Sequence, residues 1–175
     1  MGKIRSAAID ERMNNDERMN NFDDDLDCIF VYGTLRRNSK KSIEQWFPGN
    51  AIYVSEGIIK GTLYLIEDYP GLIIHDADEQ DGNPRSLNQV YGEIYRIKNA
   101  SELLEILDCY EECGPEYTTP NEYRREKRLV MEKDKPNITI PCWVYLYNLP
   151  IDSRFPQINS GDFYDAHKAM TTTRL

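Results

Sequence analysis

A chain of 175 residues has the length of one ordinary domain, and its 40% hydrophobic and 11% aromatic residues supply enough apolar surface for a core. The formal charge of −9, from 30 acidic against 21 basic residues, argues against a nucleic-acid partner, whose phosphates most of this surface would repel; an anionic small molecule would need locally placed cations. No stretch reaches the roughly 18 consecutive apolar residues of a membrane span, and the N-terminus lacks the apolar centre of a signal peptide, so the expectation is a cytoplasmic chain without a membrane partner.

Residues 1–27 are set apart by composition. Asp10-Glu11-Arg12-Met13-Asn14-Asn15 is repeated directly as Asp16-Glu17-Arg18-Met19-Asn20-Asn21, and Asp23, Asp24, Asp25 and Asp27 follow. Such a segment has too few apolar groups to offset the entropy of ordering, so it reads as a disordered polar tail. Removing residues 1–24 should therefore leave the thermal melting midpoint almost unchanged, and a large loss would place the tail inside the fold.

The first ordered stretch is Ile29-Phe30-Val31-Tyr32-Gly33-Thr34-Leu35-Arg36-Arg37, a strand-forming run that a glycine breaks. With no Cβ at Gly33, an anionic or carbonyl oxygen can approach the amides of Gly33, Thr34 and Leu35, although an ordinary turn has the same spelling. From Ser39 to Phe47, the i, i+3, i+4 spacing of Ile43, Trp46 and Phe47 predicts a short amphipathic helix ended by Pro48-Gly49. Residues 51–66 then read as strands, and Tyr69-Pro70-Gly71-Leu72 as a turn before Ile73-Ile74. Residues 75–88 are a polar, acid-rich surface loop, with a lid as the one role open to it. Gln89 to Ile97 is a strand again, in which Glu93 is expected to pair with Arg124 or Arg125.

Asn99 to Gly114 spells a helix, with Asn99 and Glu102 spaced as a capping box and Gly114-Pro115 as its stop. Leu103, Leu104, Leu107 and Tyr110 form one apolar stripe, while Glu105, Asp108 and Glu112 fall on the wetter side. Glu111 continues the stripe, four residues after Leu107 and seven after Leu104. Two readings stand: a carboxylate aimed inward with a raised pKa, suited to acid/base work, or one that reaches past the core edge to water or an arginine. Beyond a loop, Tyr123 opens a strand to Met131, and Ile138 to Tyr147 is the last clear strand, with Pro141 marking an edge or bulge.

The four cysteines, Cys28, Cys109, Cys113 and Cys142, contain no C-x-x-C pair and have no adjacent histidine, so they are assigned no metal and are read as reduced thiols. His75 and His167 are the only histidines and lie in polar surroundings, which leaves acid/base chemistry to a carboxylate. Six or seven short strands with two helices predict an α+β domain built on a curled, mostly antiparallel sheet, with a small barrel as its natural closure.

Taken in order, Val31-Tyr32-Gly33-Thr34-Leu35, Tyr69-Pro70-Gly71-Leu72, Gly92-Glu93-Ile94-Tyr95, Leu107-Asp108-Cys109-Tyr110-Glu111, Tyr123-Arg124-Arg125 and Cys142-Trp143-Val144-Tyr145 resemble the motifs of the gamma-glutamylcyclotransferase-like superfamily. Ser160-Gly161-Asp162-Phe163 is similar to the tail segment of its bacterial members. The resemblance covers residues 28–165 and implies that superfamily's mixed barrel with two short helices, while residues 166–175 read as a frayed tail. It further implies an enzyme that releases 5-oxoproline and a free amine from a small gamma-glutamyl compound, without metal or cofactor. Glu111 would be its catalytic acid/base. Tyr32, Gly33, Thr34, Leu35, Tyr123, Arg125 and Tyr145 would contact substrate. A non-catalytic small-ligand module on the same fold is the alternative.

Overall fold

The computed structural model describes residues 27–37, 39–74, 88–165 and 168. Its strands are β1 (Cys28–Val31), β2 (Ala51–Lys60), β3 (Thr62–Leu65), β4 (Pro70–Ile73), β5 (Gln89–Ile97), β6 (Tyr123–Glu132) and β7 (Lys135–Tyr147); its helices are α1 (Ile43–Trp46) and α2 (Ala100–Tyr110). Five strands close into a barrel in the order β1-β5-β2-β6-β7, and β3 with β4 forms a separate antiparallel pair. Closure is made by β7 lying parallel to β1, with Cys28 opposite Cys142 and Ile29 opposite Trp143, while the other barrel neighbours run antiparallel. This is the mixed, mostly antiparallel barrel with two short helices that the sequence predicts.

The alternation of strand side chains builds two cores. Phe30, Val90, Ile94, Ile59, Val130, Val144 and Leu146 come from all five barrel strands and fill the interior, joined by Leu63, Leu65 and Leu72 of the β3–β4 pair. The residues between them in sequence, Ile29, Val31, Tyr95, Ile97, Tyr145 and Tyr147, point outward and are covered by Ile43 and Phe47 around α1 and by Leu103, Leu104 and Leu107 of α2. The helix stripe thus exists because one outer face of the barrel has no other cover.

Several local expectations are corrected. The first helix holds only Ile43–Trp46, shorter than the 39–47 span. The Tyr-Pro-Gly-Leu turn is displaced, since Pro70 already pairs with Leu65 as the first residue of β4. Asn99 makes no side-chain cap; it adopts a left-handed backbone, φ 49°, which asparagine tolerates better than most residues. Asp27, assigned to the tail, is tied to the barrel by Trp143 Nε1 at 3.1 Å and Lys127 Nζ at 2.9 Å. Residues 1–26, the 75–87 part of the acidic loop, both histidines and most of 166–175 lie outside the described residues.

Candidate active site

At the end of β1 the chain folds back, and the Arg36 N–H donates to the Gly33 carbonyl at 3.2 Å. The Leu35 carbonyl accepts from the Ile43 N–H at 2.9 Å. These acceptors are used within the protein, but among the described residues the N–H groups of Gly33, Thr34 and Leu35 have no partner. All three residues line a cavity of about 270 Å³. Three neighbouring unpaired donors at a cavity wall form a concavity that favours a carboxylate or an oxyanion.

Gly33 has a steric reason to be glycine. A Cβ there would stand 2.6 Å from Cγ of Pro70, whose carbonyl also accepts the Tyr123 hydroxyl at 2.8 Å. Gly33→Val should therefore displace Pro70 and Tyr123 together, cost about 1–3 kcal/mol in urea denaturation, and weaken ligand binding. A folded variant that bound ligand as well as the parent would make this an ordinary turn.

Glu111 faces the same cavity from the end of α2. Its N–H closes the last helical turn on the Leu107 carbonyl at 2.9 Å, and the buried Leu103, Leu104 and Leu107 set the face it continues. The surface it keeps opens on the cavity. Enclosure, with the negative charge of Glu122 second, pushes its pKa up from 4.5 to about 7, because among the described residues no cation or donor compensates it.

Tyrosines hold the walls. Tyr32 OH donates to the Tyr145 carbonyl at 2.6 Å, and Tyr145 OH donates to Asp108 Oδ1 at 2.7 Å. Burial raises the pKa of Tyr32, Tyr123 and Tyr145, so all three remain neutral donors with fixed rings. Asp108, expected on the wet side of the helix, instead bridges Tyr145 and the Arg125 guanidinium, whose Nη1 lies 3.3 Å from Oδ2. Arg125 does not line the cavity. Its guanidinium packs over Trp143, 4.9 Å from the ring centre, and reaches the site only through Asp108 and Tyr145.

Tyr32, Gly33, Thr34, Leu35, Glu111, Tyr123 and Tyr145 are thus gathered around one cavity, and Arg125 stands behind it. The lining also includes Lys41, Asp68, Tyr69, Tyr110, Glu112 and Glu122, none of which the sequence singled out as a ligand contact. Glu112 is exposed, as its place on the helix predicts, but its φ of 50° ends the helix and leaves it at the cavity mouth. Glu122 precedes β6, where no strand alternation reveals which way a side chain faces. The only signal in the sequence was an acid next to Tyr123.

Behind the loop, Glu93 is 3% exposed and does not meet the β6 arginines expected as its partners. Its Oε2 accepts from the Arg37 N–H at 2.9 Å and from Tyr95 OH at 2.7 Å, and Oε1 lies 3.7 Å from Nε of both Arg36 and Arg37. Arg36 is also buried and pairs with Asp162 at 2.8 Å. The residues immediately after the unpaired amides are therefore fastened to β5 and to the C-terminal segment.

A barrel of this topology defines a class, and family comparison gives the class its name. The chain belongs to the gamma-glutamyl cyclotransferase, AIG2-like family, whose model matches residues 29–165. No curated protein matches it. Among solved structures it is similar to YkqA from Bacillus subtilis, with 18% identity and a TM-score of 0.58 over 84% of this chain and 43% of that one. An uncharacterised protein from Pyrococcus horikoshii matches with 19% identity and a TM-score of 0.54, over 83% of this chain and 97% of the other. An AIG2-like protein from Mus musculus has 24% identity and a TM-score of 0.50 over 75% and 91%. At these identities the likeness establishes the fold, and the chain spans less than half of the Bacillus subtilis protein. Among the described residues no helix is long and apolar enough to cross a membrane, and no cluster of His, Cys, Asp and Glu has metal-binding geometry.

Proposed function

We propose that the protein is a cyclotransferase that converts a gamma-glutamyl compound into 5-oxoproline and a free amine. The observation that carries this reading is the opposition, across one cavity, of Glu111 and the three unpaired amides of Gly33, Thr34 and Leu35. The substrate's α-nitrogen attacks its own γ-carbonyl carbon, a C–N bond forms, and the bond to the departing amine breaks. Glu111 takes a proton from the α-ammonium and returns it to the leaving nitrogen; the second proton, shed by the ring nitrogen after attack, follows the same way, so the departing amine leaves as its ammonium. A carboxylate with a pKa near 7 is suited to both halves of that exchange at neutral pH.

The amides hold either the α-carboxylate or the oxyanion that develops on the γ-carbonyl, both of which need donors. Closure of a five-membered ring is intramolecular, so a cavity that keeps the substrate folded supplies much of the acceleration and needs no enzyme nucleophile. Incubation with a panel of gamma-glutamyl amino acids and gamma-glutamyl amines, read by mass spectrometry for 5-oxoproline, tests the proposal. Release from at least one compound is expected. Binding without any release would leave a small-ligand module on the same fold.

A further inference from the structure

The cysteines take no part in the proposed reaction, and two of them meet in the barrel wall. Cys28 opens β1 and Cys142 lies in β7, and the two are register partners where these strands run parallel and close the barrel. Partners on neighbouring strands stand about 4.8 Å apart, inside the roughly 4.4–6.8 Å between α-carbons that a disulfide spans. Both side chains belong to the interior cluster: Cys142 is fully buried in it, and the half-buried Cys28 packs against it. Both are free thiols. Cys109 and Cys113 lie elsewhere, on α2 and just past its end.

Their surroundings give the two thiols separate roles. Burial raises the pKa of Cys28, but Arg96, its register partner on β5, pulls the other way and favours the thiolate, while Asp27 adds to the rise. Burial holds the Cys142 thiol higher still, with Cys28 beside it as the second cause. Cys28 is therefore the sulfur that solvent can reach, and Cys142 the one placed to reach Cys28. Attack by either is slow at neutral pH, because the thiolate is the reacting form. The seam they occupy is short: among the described residues, β1 and β7 are paired at Cys28–Cys142 and Ile29–Trp143, with the Tyr32 hydroxyl on the Tyr145 carbonyl farther along. It joins the strand that leads into Gly33 to the strand that carries Tyr145, so two walls of the cavity hang on it.

We propose that Cys28 and Cys142 form an oxidation site, at which hydrogen peroxide converts the two thiols into a disulfide that staples β1 to β7. The Cys28 thiolate attacks one peroxide oxygen and the O–O bond breaks. Cys28 becomes a sulfenic acid, and the other oxygen leaves as water with the proton that the thiol gave up. The Cys142 sulfur then attacks the Cys28 sulfur, an S–S bond forms, the S–O bond breaks, and the sulfenic oxygen leaves as a second water with the Cys142 proton. The two sulfurs are oxidised by one electron each, and one peroxide is reduced to two waters. Closing the long loop between residues 28 and 142 restricts the unfolded chain, so the oxidised barrel is the more stable form.

The test treats the full chain with hydrogen peroxide, blocks the remaining thiols with iodoacetamide, and maps the peptides by mass spectrometry without reductant. A cross-linked peptide joining Cys28 to Cys142 is expected, together with a thermal melting midpoint raised by about 5 °C or more, and dithiothreitol should reverse both. Cys28→Ser and Cys142→Ser should each abolish the cross-link and the rise in melting midpoint. A chain with both Cys109→Ser and Cys113→Ser should keep them. Four results would overturn the proposal: both thiols still open to alkylation after peroxide, a cross-link to Cys109 or Cys113 instead, Cys28 driven to its sulfinic acid without a cross-link, or a rise in melting midpoint that survives in Cys28→Ser. If the single serine variants do not fold, the peptide map of the parent decides the matter. None of these readouts requires turnover, so failure of the cyclotransferase reading leaves them intact.

Discussion

Glu111→Gln is expected to lower turnover by about two to four orders of magnitude, the usual contribution of a positioned acid/base, while retaining the fold. The amide keeps the size and polarity of the side chain but cannot exchange a proton. In the parent the acid limb of the rate profile should lie near pH 7, because a base must be ionised to accept a proton and this one has a pKa of about 7. Stability should change in the opposite sense. The carboxyl pKa rises on folding, so the penalty for ionising it in the fold is absent below about 4.5 and complete above about 7. A shift of that size corresponds to about 3 kcal/mol. Glutamine carries no such titration, so Glu111→Gln should gain stability relative to the parent between pH 5 and pH 8 in urea denaturation. Glu105→Gln, on the exposed face of the same helix, should alter neither activity nor pH dependence. Full activity in Glu111→Gln, or equal losses in both variants, would remove Glu111 from the chemistry.

What the sequence reveals and what it hides follow from periodicity. The inward turn of Glu111 is legible because Leu103, Leu104 and Leu107 fix a helical face, and the two sides of β1 and β7 are legible because strand neighbours alternate. Side chains from irregular segments carry no such signal, so Lys41, Asp68 and Glu122 emerge only when the cavity is assembled. The fate of Arg125 is hidden for a related reason: the strand pattern offers it one of two faces, but only the packed helix reveals Asp108 waiting for it. Glu93 illustrates a limit at longer range. Its partners depend on the order in which strands close the barrel, and β5 lies between β1 and β2, which brings Val31 and Glu56 beside Glu93 and leaves the β6 arginines beyond β2.

Replacing Glu93 should be the most damaging change to stability. Glu93→Ala removes the acceptor of the Arg37 N–H and the Tyr95 hydroxyl and leaves the buried Arg36 with Asp162 as its remaining ion partner. Breaking a buried pair from one side costs about 3–5 kcal/mol, because the surviving charge stays desolvated. Glu93→Gln should cost less, since its amide oxygen can still accept from Arg37 and Tyr95 while the charge is lost. The two variants therefore separate the hydrogen bonds from the ion pairing. The same network fastens the residues that follow Gly33, Thr34 and Leu35, so Glu93→Gln should also raise KM more than it lowers kcat, as the cradle loses its backing while Glu111 keeps its place. Urea denaturation gives the first quantity and steady-state kinetics the second. If Glu93→Ala unfolded within about 1 kcal/mol of the parent, the buried network would be a bystander, and the loop geometry would have to be held by the turn and by Pro70 alone.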